Sequence, residues 1–204
     1  RKRYGEKGVS GMNKEYNEVV VEGSLDLIRG FVVGFLEGKG IQGEAIFGED
    51  HHVENEGKFG QMMRLIGRKG NRFHLIVGAG FHKLLKEALE RRKGELALKI
   101  ISEKKISQAS FGFRYRAYTR ELGNELTTLF GDLPEGLQVK DYKPKETVLP
   151  EGKGVEAYAP LHEYEIKATG TIYGPVKNVI DFYGRAEHHD MVELDSITLE
   201  YDKA

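Results

Sequence analysis

Two histidine pairs, His51-His52 and His188-His189, are the side chains of this sequence best equipped for chemistry near neutral pH. Glu49, Asp50, Glu54 and Glu56 surround the first pair, and Glu187 and Asp190 flank the second. Imidazole beside carboxylate can bind a divalent transition metal or pass a proton. The spacing argues for neither: adjacent residues rarely point the same way, and no pair shows the i, i+4 separation that aims two ligands at one ion from a helix. Solvated loops with no metal and no cofactor are therefore expected. A nucleophile is also missing, since Ser24, Ser102, Ser107, Ser110 and Ser196 lie in no G-x-S-x-G context, so no catalytic residue is assigned.

The elements that must position these residues follow one plan. Asn17 to Gly38 reads as a β-branched strand, a Gly-Ser turn and a helix, and the same order recurs at Arg72 to Arg92, Phe113 to Phe130 and Tyr164 to Tyr183. Ser24 is placed to cap the first helix, with Ile28, Phe31, Val32, Phe35 and Leu36 on one face at i, i+3, i+4, i+7 and i+8. Gly30 and Gly34 lie on a neighbouring stripe and predict close approach to a sheet or helix. A strand is expected at Gly43 to Phe47, a hairpin from Gln61 to Val77 around Gly67 to Asn71, a second helix burying Phe81 and Leu85, and a returning strand from Leu96 to Ile101.

Strand-helix-strand-strand-helix-strand is the split βαβ plan. The second half repeats it: a strand from Ser110 to Tyr118, a helix striped by Leu122, Leu126, Leu129 and Phe130, middle strands at Leu137 to Val148 and Val155 to Thr169 interrupted near Pro160, a helix opening at Pro175, and a closing strand from Met191 to Tyr201 that slips between Leu194 and Ile197. The expected class is α+β, with tandem duplicated ferredoxin-like (βαββαβ) domains and antiparallel sheets. Residues 16–105 form the first domain and 106–204 the second, behind a loose arm over 1–15. Phe31, Phe35, Leu85, Phe113, Leu126, Ile166 and Ile180 should be buried.

Composition bounds the partners. The 204 residues are 39% hydrophobic and 31% charged, with a net charge of −1 and no cysteine. Disulfides, thiolate metal sites and a cysteine nucleophile are excluded, and no apolar run reaches membrane-span or signal-peptide length, so the expectation is a cytoplasmic protein without membrane contact. No block of like charge announces nucleic acid. One motif touches that question: Phe111-Gly112-Phe113 resembles the core of the RNA-stacking strand of the RRM family, which shares this fold and would imply RNA binding. Ala109, Ser110, Arg114 and Arg116 depart from the pattern. Strand alternation turns Phe111 and Phe113 toward the helices and leaves Gly112, Arg114 and Arg116 on the other face, the wrong phase for stacking.

That phase defines the candidate site. Both helices of a ferredoxin-like domain cover one sheet face, so Arg114 and Arg116, with Lys99, Lys167, Glu165 and Glu193, should form an open mixed-charge face. The plan also gathers His51-His52 and His188-His189, each in its own domain, at the sheet edge bearing the first helix N-terminus, at Gly23-Ser24 and Thr119-Arg120. Free backbone N–H groups, the helix dipole and Arg120 favour an anion there. The candidate ligand-binding set is Gly23, Ser24, His51, His52, Arg114, Arg116, Thr119, Arg120, His188 and His189. A regulatory module binding a small anionic ligand is the preferred reading. A small-molecule enzyme using the histidine edge and an RNA-binding protein are the alternatives, and oligomer formation, through strand edges, loops or helices, is left open.

Overall fold

Glycine, capping residues and β-branched runs set most element ends. The computed structural model describes residues 15–48, 51–55, 60–148 and 164–203. They divide into two compact units, Arg1–Glu103 and Lys104–Ala204. In the first unit the elements are β1 (Tyr16–Glu22), α1 (Leu25–Glu37), a 3₁₀ turn (Gly43–Phe47), β2 (His52–Glu54), β3 (Met62–Lys69), β4 (Arg72–Gly78) and α2 (Ala79–Arg91), followed by β5 (Lys99–Ala117), which contains the unit boundary. Strand order is β2-β3-β4-β1-β5. β4 lies between β1 and β3 and is antiparallel to both, pairing Val19 with Leu75 and Leu65 with Leu75. This is the ferredoxin-like order with β2 added at the edge.

The helix face of this sheet forms one core, in which Val19, Val21, Phe73, Leu75 and Val77 meet Ile28, Val32, Leu36, Phe81 and Leu85. Phe35 packs edge-on against Phe81 at 5.8 Å between ring centres. Ser24 caps α1 as its position predicts, its Oγ accepting from the Leu27 N–H at 3.3 Å. Lys69 pairs with Arg72 across a two-residue turn in which Gly70 has φ +63°, a conformation that costs glycine nothing. At the end of β1, Glu22 accepts from Lys99 and Arg72, which hold its carboxyl below the usual range.

Three local expectations are corrected. Gly43–Phe47 is a 3₁₀ turn instead of a strand: a Cβ at Gly43 would come within 2.7 Å of the Val33 Cα, so this segment packs on α1, with Ile46 buried. Phe31 and Phe35 are only half-buried, flanking the stripe of Ile28, Val32 and Leu36 that meets the sheet. Gly30 and Gly34 press on nothing, since a Cβ at either would find no atom within 4 Å. Helix propensity is then the only term a side chain would change. Gly30→Ala and Gly34→Ala are each expected to raise stability by about 0.5–1 kcal/mol, read as a higher urea midpoint, and a loss would show a packing role that the geometry lacks.

The second unit continues with α3 (Arg120–Gly131), β6 (Gln138–Lys140), β7 (Lys145–Val148), β8 (Tyr164–Gly174), α4 (Val176–Glu187), β9 (Val192–Leu194) and β10 (Thr198–Tyr201). β8 pairs with β5 on one side and with β6 and β7 on the other, while β9 and β10 pair with β5, all antiparallel. The ferredoxin-like order is the same, with the second and fourth strands each split in two. The second strand breaks at Asp141, whose φ is +56°. The fourth breaks at Asp195–Ile197, where the sequence alternation slips. Val155 to His162, including the interruption expected near Pro160, lies outside the described residues.

β5 merges what the sequence reads as two strands. From Ser102 to Ala109 it carries neither glycine nor proline, so no residue type stops the extended chain. Alternation along its second part is strict: Phe111, Phe113, Tyr115 and Ala117 are buried, and the residues between them are not. Phe113 stacks on Phe130 of α3 at 3.9 Å, and Phe111 lies 6.4 Å from Phe182 of α4. Gly170 leaves room for the Phe113 ring, whose Cζ would be 2.8 Å from a Cβ there. Both phenylalanines are therefore core residues on the helix side, and the likeness of Phe111-Gly112-Phe113 to an RNA-stacking strand ends at the residue names.

Candidate functional site on the second sheet

The face of the second sheet turned away from α3 and α4 carries the charge. Arg116 of β5 pairs with Lys167 of β8, and Lys167 pairs with Lys145 of β7. The register thus lines up three cations directly across three strands. Like charges at opposed positions repel, so this row opposes folding. Glu165, two residues before Lys167 on the same face, offsets it in part, lying 3.6 Å from Arg116 and 3.7 Å from Lys167. Lys145 and nearby Lys143 have no side-chain partner among the described residues.

Above this row is a cavity of about 620 Å³ lined by Arg114, Arg116, Lys143, Lys145 and Lys167, against which stand only Asp190 and Glu193. Arg114 pairs with Glu193 on the neighbouring β9, and that hydrogen bond holds the guanidinium more firmly protonated. Arg116 donates to the Tyr118 hydroxyl at 3.5 Å and is held protonated by that contact first and by the carboxylates second. Tyr118, Ala168 and Met191 supply the apolar part of the wall. A smaller cavity of about 240 Å³ adjoins it and shares Arg114 and Thr169, its other polar residues being Asp141, Thr171 and Asp195. Gly112 forms part of its floor because Asp195 folds over this strand: its N–H donates to the Gly112 carbonyl at 2.9 Å, and a Cβ on Gly112 would collide with its Oδ2.

Of the candidate ligand-binding set read from sequence, Arg114 and Arg116 line this cavity, together with Lys167 and Glu193 of the expected mixed-charge face. Thr119 caps α3, its Oγ1 accepting from Leu122 N–H at 3.3 Å. Arg120 points elsewhere, donating to Glu146 at 3.3 Å with its guanidinium 5.1 Å from the Tyr164 ring centre. His188 ends α4 and is exposed, and His189 is half-buried with Nδ1 3.5 Å from Glu125, immediately before the cavity residues Asp190 and Met191. In the first unit the Gly23 N–H already donates to Asn71 at 2.9 Å, and a Cβ on Gly23 would collide with Leu98. Its turn is a packed junction, with Ser24 occupied in capping.

The placement of His51-His52 differs from the expected one. His52 opens the edge strand β2 opposite Arg64, and His51 O accepts from Leu65 N–H at 2.8 Å, so the pair lies part-way along β3 and away from the hairpin tip beside Gly23. Glu49, Asp50 and Glu56 lie outside the described residues. Among the described residues no group of three or more histidines and carboxylates is placed to hold a metal ion. No helix among them is long and apolar enough to cross a membrane.

No family model and no curated protein matches the sequence. Among solved structures, the chain is similar to a protein of unknown function from Galdieria sulphuraria at 13% identity and TM-score 0.26, covering 92% of this chain and 98% of that one. It is similar to a putative glycine cleavage system transcriptional repressor at 11% identity and TM-score 0.28, covering 93% and 98%. A third is the type IV CRISPR-Cas Cas6 crRNA endonuclease Csf5, at 12% identity and TM-score 0.22, covering 90% and 92%. At such scores the likeness carries no argument about function, which rests on the cavity.

Proposed function

We propose that the second unit is a binding module for a small anionic ligand, seated in the cationic cavity on its open sheet face, and that binding rather than catalysis is the role of this site. The supporting observation is the cross-strand row Arg116, Lys167 and Lys145. Three like charges at opposed positions are a cost to folding that an anion removes. Their exposure keeps them hydrated and charged, and Lys145 of the row and neighbouring Lys143, without a side-chain partner among the described residues, offer donors that a ligand can use. Among the described residues of the cavity wall, the polar groups are mainly cations suited to holding an anion.

Isothermal titration with inorganic pyrophosphate at low ionic strength tests this. Saturable binding is expected, weakening with added salt as surface charges are screened. The Arg116→Gln/Lys167→Gln pair should reduce affinity at least tenfold while leaving the melting temperature unchanged or slightly higher, because exposed ion pairs contribute little to stability. Absence of binding, or equal affinity in the double variant, would overturn the proposal.

A further inference from the structure

Resting on the anion-binding reading above, we infer that the ligand is a phosphorylated polyhydroxy compound, its phosphate held by the cation row and its hydroxyls by Asp195 and Asp141 in the adjoining cavity. Charge balance selects the phosphate. Glu193 compensates Arg114, Glu165 is shared between Arg116 and Lys167, and Asp190 stands at the wall, so five cations face three carboxylates and leave an excess of two, with Lys143 and Lys145 lacking a side-chain partner among the described residues. A monocarboxylate leaves part of that excess unmatched; a phosphate monoester brings nearly two negative charges at neutral pH and three acceptor oxygens for several N–H donors.

The second cavity selects the rest of the molecule. It shares Arg114 and Thr169 with the first, yet its other polar groups are the carboxylates of Asp141 and Asp195 and the hydroxyl of Thr171. A second anionic group would be repelled there. Hydroxyls are the groups that carboxylates accept from without a change of charge. Gly112 to Arg116 spans four residues of β5, on the order of 13 Å at about 3.3 Å per residue, with Arg114 midway. A phosphate beside Arg114 and Arg116 therefore leaves a sugar-sized body over Gly112. The glycine is required for this arrangement because any larger residue would displace the Asp195 carboxylate.

The test exploits opposite signs. Titrate the full chain with inorganic phosphate, ribose 5-phosphate, ribose and acetate, then repeat with Asp195→Asn and Asp141→Asn. Ribose 5-phosphate should bind the unmodified protein about tenfold more tightly than inorganic phosphate, and acetate and ribose should bind weakest. As a bystander charge, Asp195 only repels anions, so Asp195→Asn would tighten both phosphates. As a hydroxyl acceptor it distinguishes them: inorganic phosphate binds equally or better in the variant, while ribose 5-phosphate loses most of its tenfold advantage. Tightening of both ligands, or equal affinity for both in the unmodified protein, would overturn the inference and leave the anion site standing. Failure of both phosphates to bind would remove the anion site itself, and failure of ribose 5-phosphate alone would overturn the inference.

Discussion

Phe113→Ala is expected to destabilise the second unit by about 3–5 kcal/mol, a substantial share of the stability a domain of this size possesses. The ring is 3% exposed and meets the rings of Phe130 at 3.9 Å and Tyr142 at 5.7 Å between centres. Truncation removes the apolar transfer energy and leaves a cavity that the neighbours cannot fill. Phe130 also packs edge-on against Phe182 at 5.8 Å, and Tyr142 is fixed by hydrogen bonds to Tyr115 at 2.9 Å and to the Thr127 carbonyl at 3.4 Å. Burial, followed by the Tyr115 bond, pushes the Tyr142 hydroxyl well above the ordinary tyrosine range. Phe31→Ala, at a half-buried position of α1, should cost less than about 2 kcal/mol. Urea unfolding of both variants checks the pair. A loss below about 1 kcal/mol for Phe113→Ala would mean that its ring is not the core anchor its contacts describe.

The same residue shows how far sequence reasoning reaches. Alternation alone turned Phe111 and Phe113 inward and Arg114 and Arg116 outward, because a strand's side-chain period of two admits no other assignment once one face is apolar. Helix stripes and caps were equally legible, from Ile28, Val32 and Leu36 to the Ser24 cap. Gly43–Phe47 was not, since five residues of mixed type fit a short strand or a 3₁₀ turn, and what decides between them is contact with Val33. Gly30 and Gly34 failed in the opposite direction: glycine spacing predicts close packing only if something is there to pack.

The site was half legible for a related reason. Periodicity places Arg114 and Arg116 on the open face, but it contains no information about which residues of β7 and β8 stand opposite them. Lys145 falls in a segment broken by the turn at Asp141, so counting from Leu137 does not give its phase. Its pairing with Lys167 is a property of register, and register here follows from a break between β6 and β7 that residue types only hint at through Asp141 and Pro144. Asp195 was hidden in the same way: the alternation slip marks where β9 and β10 part, but not that the freed residue folds over Gly112. The histidines drew attention by residue type, and among the described residues no group of three or more histidines and carboxylates gathers at either pair.

Reversing the charge at the centre of the cation row gives the sharpest contrast between stability and function. Lys167→Glu converts two repulsive opposed pairs, with Arg116 and with Lys145, into attractive ones. Each such pair is worth a few tenths of a kcal/mol up to about 1 kcal/mol, and both are discounted here because Lys167 is 48% exposed and Arg116 55%. Against this, the new carboxylate lies near Glu165, and the existing 3.7 Å contact between Glu165 and Lys167 is lost. The expected net effect is a stability unchanged or raised by a few tenths of a kcal/mol at low salt, with the gain fading as ionic strength rises. Anion binding moves the other way: the cavity loses one cation and gains one anion, which should weaken pyrophosphate binding by well over tenfold. A residue whose replacement leaves the fold no weaker and weakens binding is held in place by function, since its one ion pair, with Glu165, is set against two opposed like charges, Arg116 and Lys145. Melting curves at two salt concentrations beside a pyrophosphate titration decide the matter, and destabilisation by more than about 1 kcal/mol would show instead that Lys167 is kept for the sheet.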